Sequence, residues 1–289
     1  PRLEQLRECL RQVRDLERTL TRLSVGTGNA RDLLNLRLAL EQLPGLRSLI
    51  ADALHGVSKL ELNDADDLPL LAKLSAQLAE LPEVVSLIAS AVVDEPPLAL
   101  REGGMIREGY SVELDELRGG ASEGKDWIAQ LQLREIENTG IPSLKVRFNN
   151  VFGYFIEVTK THLAKVPAHY VRKQTVANGE RYITDELKQM EDKVLGAEER
   201  STKLEYELYL QVREAVLENL RAIQQSADAL ARLDVLANFA EAARMHGYCR
   251  PNVGNEGLLT IREGRHPVLE QTLLDERFVP NHTQLGDSK

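Results

Sequence analysis

The 289-residue sequence predicts a mainly α protein with a small inserted β-sheet, in which a long antiparallel helical lever carries that sheet at its tip. Three observations carry the prediction. Aromatic residues are scarce at 4%, while 43% of the chain is hydrophobic and 28% charged, the balance of a folded helical protein and not of a disordered one. Apolar residues recur three and four positions apart over most of the length, the period of a helix buried on one side. One stretch, 144–182, alternates at period two instead, as a strand does.

Residues 2–23 place Leu3, Leu6, Leu10, Val13, Leu16 and Leu20 on one helical stripe, broken by Gly26-Thr27-Gly28. Asn29 is a suitable N-cap for the next helix, whose stripe is Leu33, Leu34, Leu38 and Leu43 and which closes near Pro44. A shorter helix covers 46–54, followed by a polar loop at Asn63-Asp64-Ala65-Asp66-Asp67. Residues 68–93 read as one or two helices with a break at Pro82. Glycines make 101–110 irregular or a short hairpin. Ser111 then caps a helix running toward Asn138, with interruptions expected at Gly119-Gly120 and Gly124. From 184 to 246 there is no proline and one glycine, Gly196; a continuous helix there would span about 90 Å. Its stripe of Leu204, Leu208, Val212, Val216, Leu220, Ile223, Ala227 and Leu230 needs a partner, and the helix before Gly140 can supply one, antiparallel. Residues 257–261 read as a strand.

Within the alternating stretch, Val146, Phe148, Tyr154, Ile156 and Val158 fall at every second position around a turn at Asn149-Asn150-Val151-Phe152-Gly153. A second strand pair, roughly 170–176 and 181–184, joins across Ala177-Asn178-Gly179. Seven cations (Lys145, Arg147, Lys160, Lys165, Arg172, Lys173, Arg181) oppose only Glu157 and Glu180, a net +5. The whole chain is −9, which leaves −14 for everything else. A basic sheet carried by acidic helices points to a polyanion met at the sheet. Asn149, Asn150, Arg172, Lys173, Thr175, Asn178 and Arg181 are the candidate contacts, because such side chains hold phosphates without reading sequence. The competing reading is structural: asparagines that shape turns and arginines on a solvated face. No aromatics interleave on the polar face to stack single-strand bases; Tyr154, Phe155 and Tyr170 read as packing residues.

Other chemistry is sparse. Cys9 and Cys249 are too few for a disulfide framework and suit a reducing compartment. No apolar run approaches the ~20 residues of a membrane span. His246 and Cys249 lie three apart, but two ligands do not make a zinc site. Glu198-Glu199 reads as a solvated helix face, and no Ser-His-Asp or Cys-His arrangement is visible.

The run GYFIEVTKTHLAKVPAHYVRKQTVANGERYITDELKQMEDKVL is similar to the clamp and descending lever of the MutS family of DNA mismatch-repair proteins. EGRHPVLEQ followed by FVPN resembles the start of that family's ATPase domain, and DLERTLTRLSVGTGNARDL and REGGMIREGYSVELDELR resemble its core. The resemblance implies a first core/lever part at 1–124, the clamp at 125–184, a second lever part with a long helix at 185–248, and the start of the ATPase domain at 249–289. It implies a homodimer that encircles duplex DNA, grips its backbone through the clamp and works with a MutL-type partner, in the bacterial cytoplasm at the nucleoid and with no membrane. It places Asn149 and Asn178 at the clamp loops nearest DNA, puts Phe278 where the family stacks an aromatic on adenine, and gives His266 a structural role beside the nucleotide site.

The family's Phe-x-Glu mismatch reader and its G-x-x-x-x-G-K-S phosphate loop are not in this sequence; the resemblance puts them before Pro1 and beyond Lys289. Both ends look cut. By itself the stretch is expected to be no enzyme and to hold no cofactor, whereas the full-length protein would be a DNA-dependent ATPase using ATP and magnesium. Two alternatives stay open: a family paralogue acting on recombination or branched DNA, and a structural coiled-coil arm whose sheet binds a protein.

Overall fold

The computed structural model describes residues 2–13, 15–55, 70–255, 257–272 and 278–286. The expected polar loop at 63–67 lies outside the described residues. Contacts divide the chain into two compact units, 1–238 and 239–289.

The first unit opens with helices α1 (Arg2–Gln12), α2 (Leu16–Ser24), α3 (Ala30–Leu40), α4 (Leu43–His55), α5 (Leu70–Gln77) and α6 (Pro82–Ala91). The single helix expected over 2–23 is two, because Asp15 caps α2 by accepting the Arg18 N–H at 2.9 Å. Asn29 caps α3 as expected: its Oδ1 accepts the Arg31 and Asp32 N–H groups, and Asp32 accepts the Asn29 N–H in return, a reciprocal box. Pro44 does not close α3. It lies in the first turn of α4, where its missing N–H costs nothing. Pro82 likewise opens α6.

Helix α7 (Val112–Thr139) is continuous through Gly119, Gly120 and Gly124, which corrects the expected interruptions. Gly124 has a packing reason. A Cβ there would stand 2.3 Å from Cγ2 of Val194, so only glycine lets α7 lie this close to its neighbour. That neighbour is α8 (Asp185–Leu217), and α9 (Leu220–His246) follows it after a two-residue turn at 218–219. The 60-residue helix is therefore two, and α8 alone is about 50 Å long.

Two apolar cores form in this unit. In the first, Leu20, Leu23, Leu33, Leu36, Leu43, Leu46 and Ile88 of the early helices pack with Tyr209, Val212 and Val216 of α8 and Ile223, Leu230 and Leu233 of α9. Polar ties complete it. The Tyr209 hydroxyl donates to the Gly28 carbonyl at 2.7 Å, and Arg213 Nε donates to the Leu23 carbonyl at 2.6 Å. The second core lies at the other end of α7 and α8, where Ile128, Leu131, Leu187 and Val194 meet a four-stranded sheet.

Between the cores, 93–111 is irregular, with an isolated bridge between Val92 and Ile106. Glu205 of α8 fixes it. This carboxylate, 2% exposed, accepts the Met105 N–H (2.9 Å), the Ile106 N–H (3.4 Å) and Arg118 Nη2 of α7 (2.8 Å). A buried carboxylate is tolerated only when so satisfied.

The second unit takes in the end of α9, then β5 (Leu259–Gly264), α10 (Leu269–Thr272) and β6 (Asn281–Leu285), with β5 and β6 antiparallel. The strand expected at 257–261 is present, displaced by two to three residues. Arg265 donates to the His246 and Gly247 carbonyls at 3.1 and 2.8 Å, capping the end of α9. Among the described residues no helix is long and apolar enough to cross a membrane.

Replacing Glu205 with leucine strands two amides and leaves Arg118 only the Ile106 carbonyl and Asp115, a loss of about 3 kcal/mol. Urea unfolding should show a clearly lower midpoint for Glu205→Leu and a smaller fall for Glu205→Gln, which keeps an acceptor.

Candidate nucleic-acid interface

The sheet comprises β1 (Lys145–Asn149), β2 (Gly153–Thr159), β3 (Val171–Val176) and β4 (Gly179–Ile183), in the order β1-β2-β4-β3 and antiparallel throughout. Both expected hairpins form. Their joining seam, β2 against β4, pairs Ile156 with Tyr182 and Glu157 with Arg181. A 3-10 turn, Lys160–Lys165, connects β2 toward β3.

Alternation gives the sheet two unlike faces. Val146, Tyr154, Ile156, Val158 and Tyr182 face the core with α7 and α8. The opposite face carries a row across three strands, Lys145–Glu157–Arg181, with Gln174 of β3 completing it, and Arg147 one step along. Arg181 Nε lies 3.3 Å from Glu157, its Nη1 donates to Gln174 at 2.9 Å, and the guanidinium covers the Phe155 ring at 4.4 Å. Phe155 is thereby 2% exposed although it points away from the helices. Arg147 approaches Glu157 only to 3.8 Å, and Lys145 and Lys160 have no side-chain partner among the described residues.

The seven sequence candidates do not gather at one place. Asn149 pairs with Gly153 and Gly179 pairs with Thr159, so the two asparagine turns lie at opposite ends of β2, about 20 Å apart. At the first end, Asn149 Oδ1 accepts the Val151 N–H at 2.8 Å, shaping the turn, while Asn150 is exposed. Lys173 sits in a bulge between Arg172 and Gln174 and donates from Nζ to the Phe152 carbonyl at 2.7 Å, so it joins this end. At the second end, Thr175 and Asn178 are exposed. Arg172 is exposed and paired with Glu180 at 3.3 Å; Arg181 is half-buried in the middle. Sequence reading passed over Lys145, Arg147 and Lys160 as site residues. Counting parity from Phe155 and Glu157 would have put Lys145 and Arg147 on the open face.

Buried acids fasten the sheet to its helices. Glu191 of α8 accepts the Tyr154 N–H and a bond from Lys188 Nζ (2.5 Å), and Glu135 of α7 accepts the Tyr170 hydroxyl. Burial, then the bond to Glu135, raises the Tyr170 hydroxyl well above its ordinary range. Burial and donation to Glu180 push Tyr182 up to about 12, while that hydroxyl and Arg172 hold the Glu180 carboxyl below the usual range.

Elsewhere the picture is plain. Phe278 is half-buried just before β6, and His266 Nδ1 accepts the Leu269 N–H at 3.2 Å, capping α10. His246 lies 5.5 Å from the Tyr248 ring, and Cys249 is exposed. Among the described residues no three His, Cys, Asp or Glu side chains group so as to hold a metal ion. Glu198, read as solvated, pairs with Lys125 of α7 at 2.6 Å.

A four-stranded sheet inserted between two paired helices, acidic below and basic on its open face, defines a class of helical scaffold with a charged sheet module. Residues 109–200, which hold α7, the sheet and the first half of α8, match the model of MutS family domain IV. The chain is similar to the protein named DNA mismatch repair protein MutS from Desulfitobacterium hafniense, at 49% identity over 96% of this chain and 31% of the relative. It matches those of Symbiobacterium thermophilum at 48% over 96% of this chain and 30% of the relative, and Acetivibrio thermocellus at 43% over 97% and 31%. The chain belongs to the MutS family, and it spans about three tenths of the length of these relatives.

Two measurements follow from this geometry. Gly153 has φ +71° and an added Cβ would stand 2.2 Å from Glu191 Oε2, so Gly153→Ala should cost about 1–3 kcal/mol and strip the Tyr154 amide of its hydrogen-exchange protection. The Tyr182 contribution to stability is fully present below its ordinary pKa of 10 and is lost as pH rises through about 12. The difference in tyrosinate absorbance between the parent and Tyr182→Phe should therefore have its midpoint near pH 12.

Proposed function

We propose that this chain is the lever and clamp part of a MutS-type mismatch-repair protein, and that its inserted sheet grips the backbone of duplex DNA. The observation that supports this reading best is the open sheet face. Lys145, Arg147 and Arg181 surround a single carboxylate, Glu157, so the face keeps a net positive charge, while the chain outside the 144–182 stretch sums to −14. Such a face attracts a phosphate polymer, which the acidic helices repel, so binding is directed to the sheet. The contacts are sequence-blind, because nothing on this face is shaped to reach base edges.

The two ends of the sheet divide the work in this reading. The turns that carry Asn150 and Asn178 stand about 20 Å apart, a span that covers about six phosphates of one strand, and Lys173 and Thr175 of β3 lie between them. The paired helices α7 and α8 act as the lever. In the complete protein, ATP with magnesium would bind at an ATPase domain, with Phe278 stacked on the adenine. Two copies would close around the duplex, and a MutL-type partner would act on the complex. The names of the relatives favour mismatch repair over a junction-binding paralogue.

Charge reversal tests the grip. Lys145→Glu with Arg147→Glu in the full-length protein should weaken homoduplex binding strongly at low salt. The slope of log affinity against log salt should become shallower by about 2, measured by fluorescence anisotropy. An unchanged affinity and slope would favour the alternative of a protein-binding arm.

A further inference from the structure

At the end of the sheet remote from Glu191, four side chains from three segments converge. Ser143 precedes β1, Thr159 ends β2, and Thr161 and His162 lie in the 3-10 turn. Ser143 Oγ is 3.0 Å from Thr159 Oγ1, which is 3.2 Å from Thr161 Oγ1. His162 Nδ1 is 3.1 Å from the Thr161 hydroxyl, 3.2 Å from that of Thr159 and 3.3 Å from that of Ser143.

An imidazole nitrogen offers one lone pair or one hydrogen, so these three contacts cannot all be full hydrogen bonds. With Nδ1 accepting, the hydroxyls form a chain that runs toward the ring and satisfies itself. With Nδ1–H donating, the chain reverses and a hydroxyl hydrogen is left for an outside acceptor. Among the described residues no carboxylate bonds to these four side chains. Lys160 lies between Thr159 and Thr161 in the chain, exposed and without a side-chain partner among the described residues. Its N–H donates to the Asn178 carbonyl at 3.2 Å, which ties the cluster to the exposed Asn178 turn. Thr159 lies one two-residue step, about 7 Å, beyond Glu157 on the same open face. A group rich in donors, bonded to no carboxylate among the described residues and with a lysine next to it in the chain, has the composition of an oxyanion site.

We propose that Ser143, Thr159, Thr161 and His162 with Lys160 form a cradle for one backbone phosphate of the duplex. The inference rests on the reading that the sheet grips duplex DNA, and it assigns the place where one particular phosphate is seated. Lys160 supplies the charge, the hydroxyls supply directed donors, and the ring sets which way those hydroxyls point.

The test uses the full-length protein and a fluorescein-labelled homoduplex in which single phosphates are replaced, one at a time, by neutral methylphosphonate. The parent should lose about tenfold in affinity at one distinct position, the loss of a charge-assisted hydrogen bond set. Lys160→Ala combined with Thr161→Val, both at exposed positions, should bind about tenfold more weakly to the unmodified duplex and be insensitive to methylphosphonate at that same position. A variant that binds as the parent does, or that keeps the parent's sensitivity, would overturn the cradle and show a cluster that only fastens the 140–143 loop. Lys145→Glu with Arg147→Glu separates the two readings, since it weakens binding if the sheet grips DNA whether or not the cradle exists. Displacement of the cradle contact by inorganic phosphate at constant ionic strength would assign the site to free phosphate and overturn the backbone assignment; no displacement supports it.

Discussion

Three buried carboxylates on the paired helices fix where the four-stranded sheet and the irregular 93–111 segment attach. Glu205 holds the Met105 and Ile106 amides, Glu191 holds the Tyr154 amide, and Glu135 holds the Tyr170 hydroxyl. Each sits on α7 or α8, and each receives donors from an irregular or β segment. An acid out of water is tolerated only with its partners in place. The partners are therefore positioned as firmly as the helices themselves. Gly124 completes the arrangement by letting Val194 close the space between α7 and α8.

On that frame the sheet separates its two jobs by face. The inner side is apolar and anchors Ile156, Val158 and Tyr182. The outer side keeps Phe155 dry under a guanidinium while leaving Lys145, on the neighbouring strand, without a side-chain partner among the described residues. Arg172 and Arg181 are largely engaged within the protein, by Glu180 and by Glu157 with Gln174. Arg181 shapes the open face, on which Lys145 and Arg147 are the more available charges. Their availability, more than the count of cations, makes the face suited to a polyanion.

Local signals were legible in the sequence where short-range chemistry decides. Asn29 as a cap, Ser111 as a cap, the break at Pro82 and the two Asn-bearing turns all follow from preferences that act within a few residues. Features set by distant partners were not legible. A glutamate in a helix reads as solvated, and nothing adjacent to Glu191 or Glu205 announces that it will meet amides 37 or 100 residues away. Gly124 reads as a breaker because its partner, Val194, is seventy residues off. The candidate site was legible as a stretch and not as a surface. The β2–β4 seam, which sets parity and sends the asparagine turns to opposite ends, is invisible without register.

The outermost strands of this sheet are poor templates for a further strand. Val146 on β1 has its N–H taken by Gln132 of α7 at 2.8 Å, and β3 carries a bulge with Lys173 at its centre. Unpaired rims of this kind otherwise recruit extended segments from neighbouring molecules. A sheet whose outer face stays open to solvent can thus stand beside copies of itself with its rims already blunted against backbone pairing.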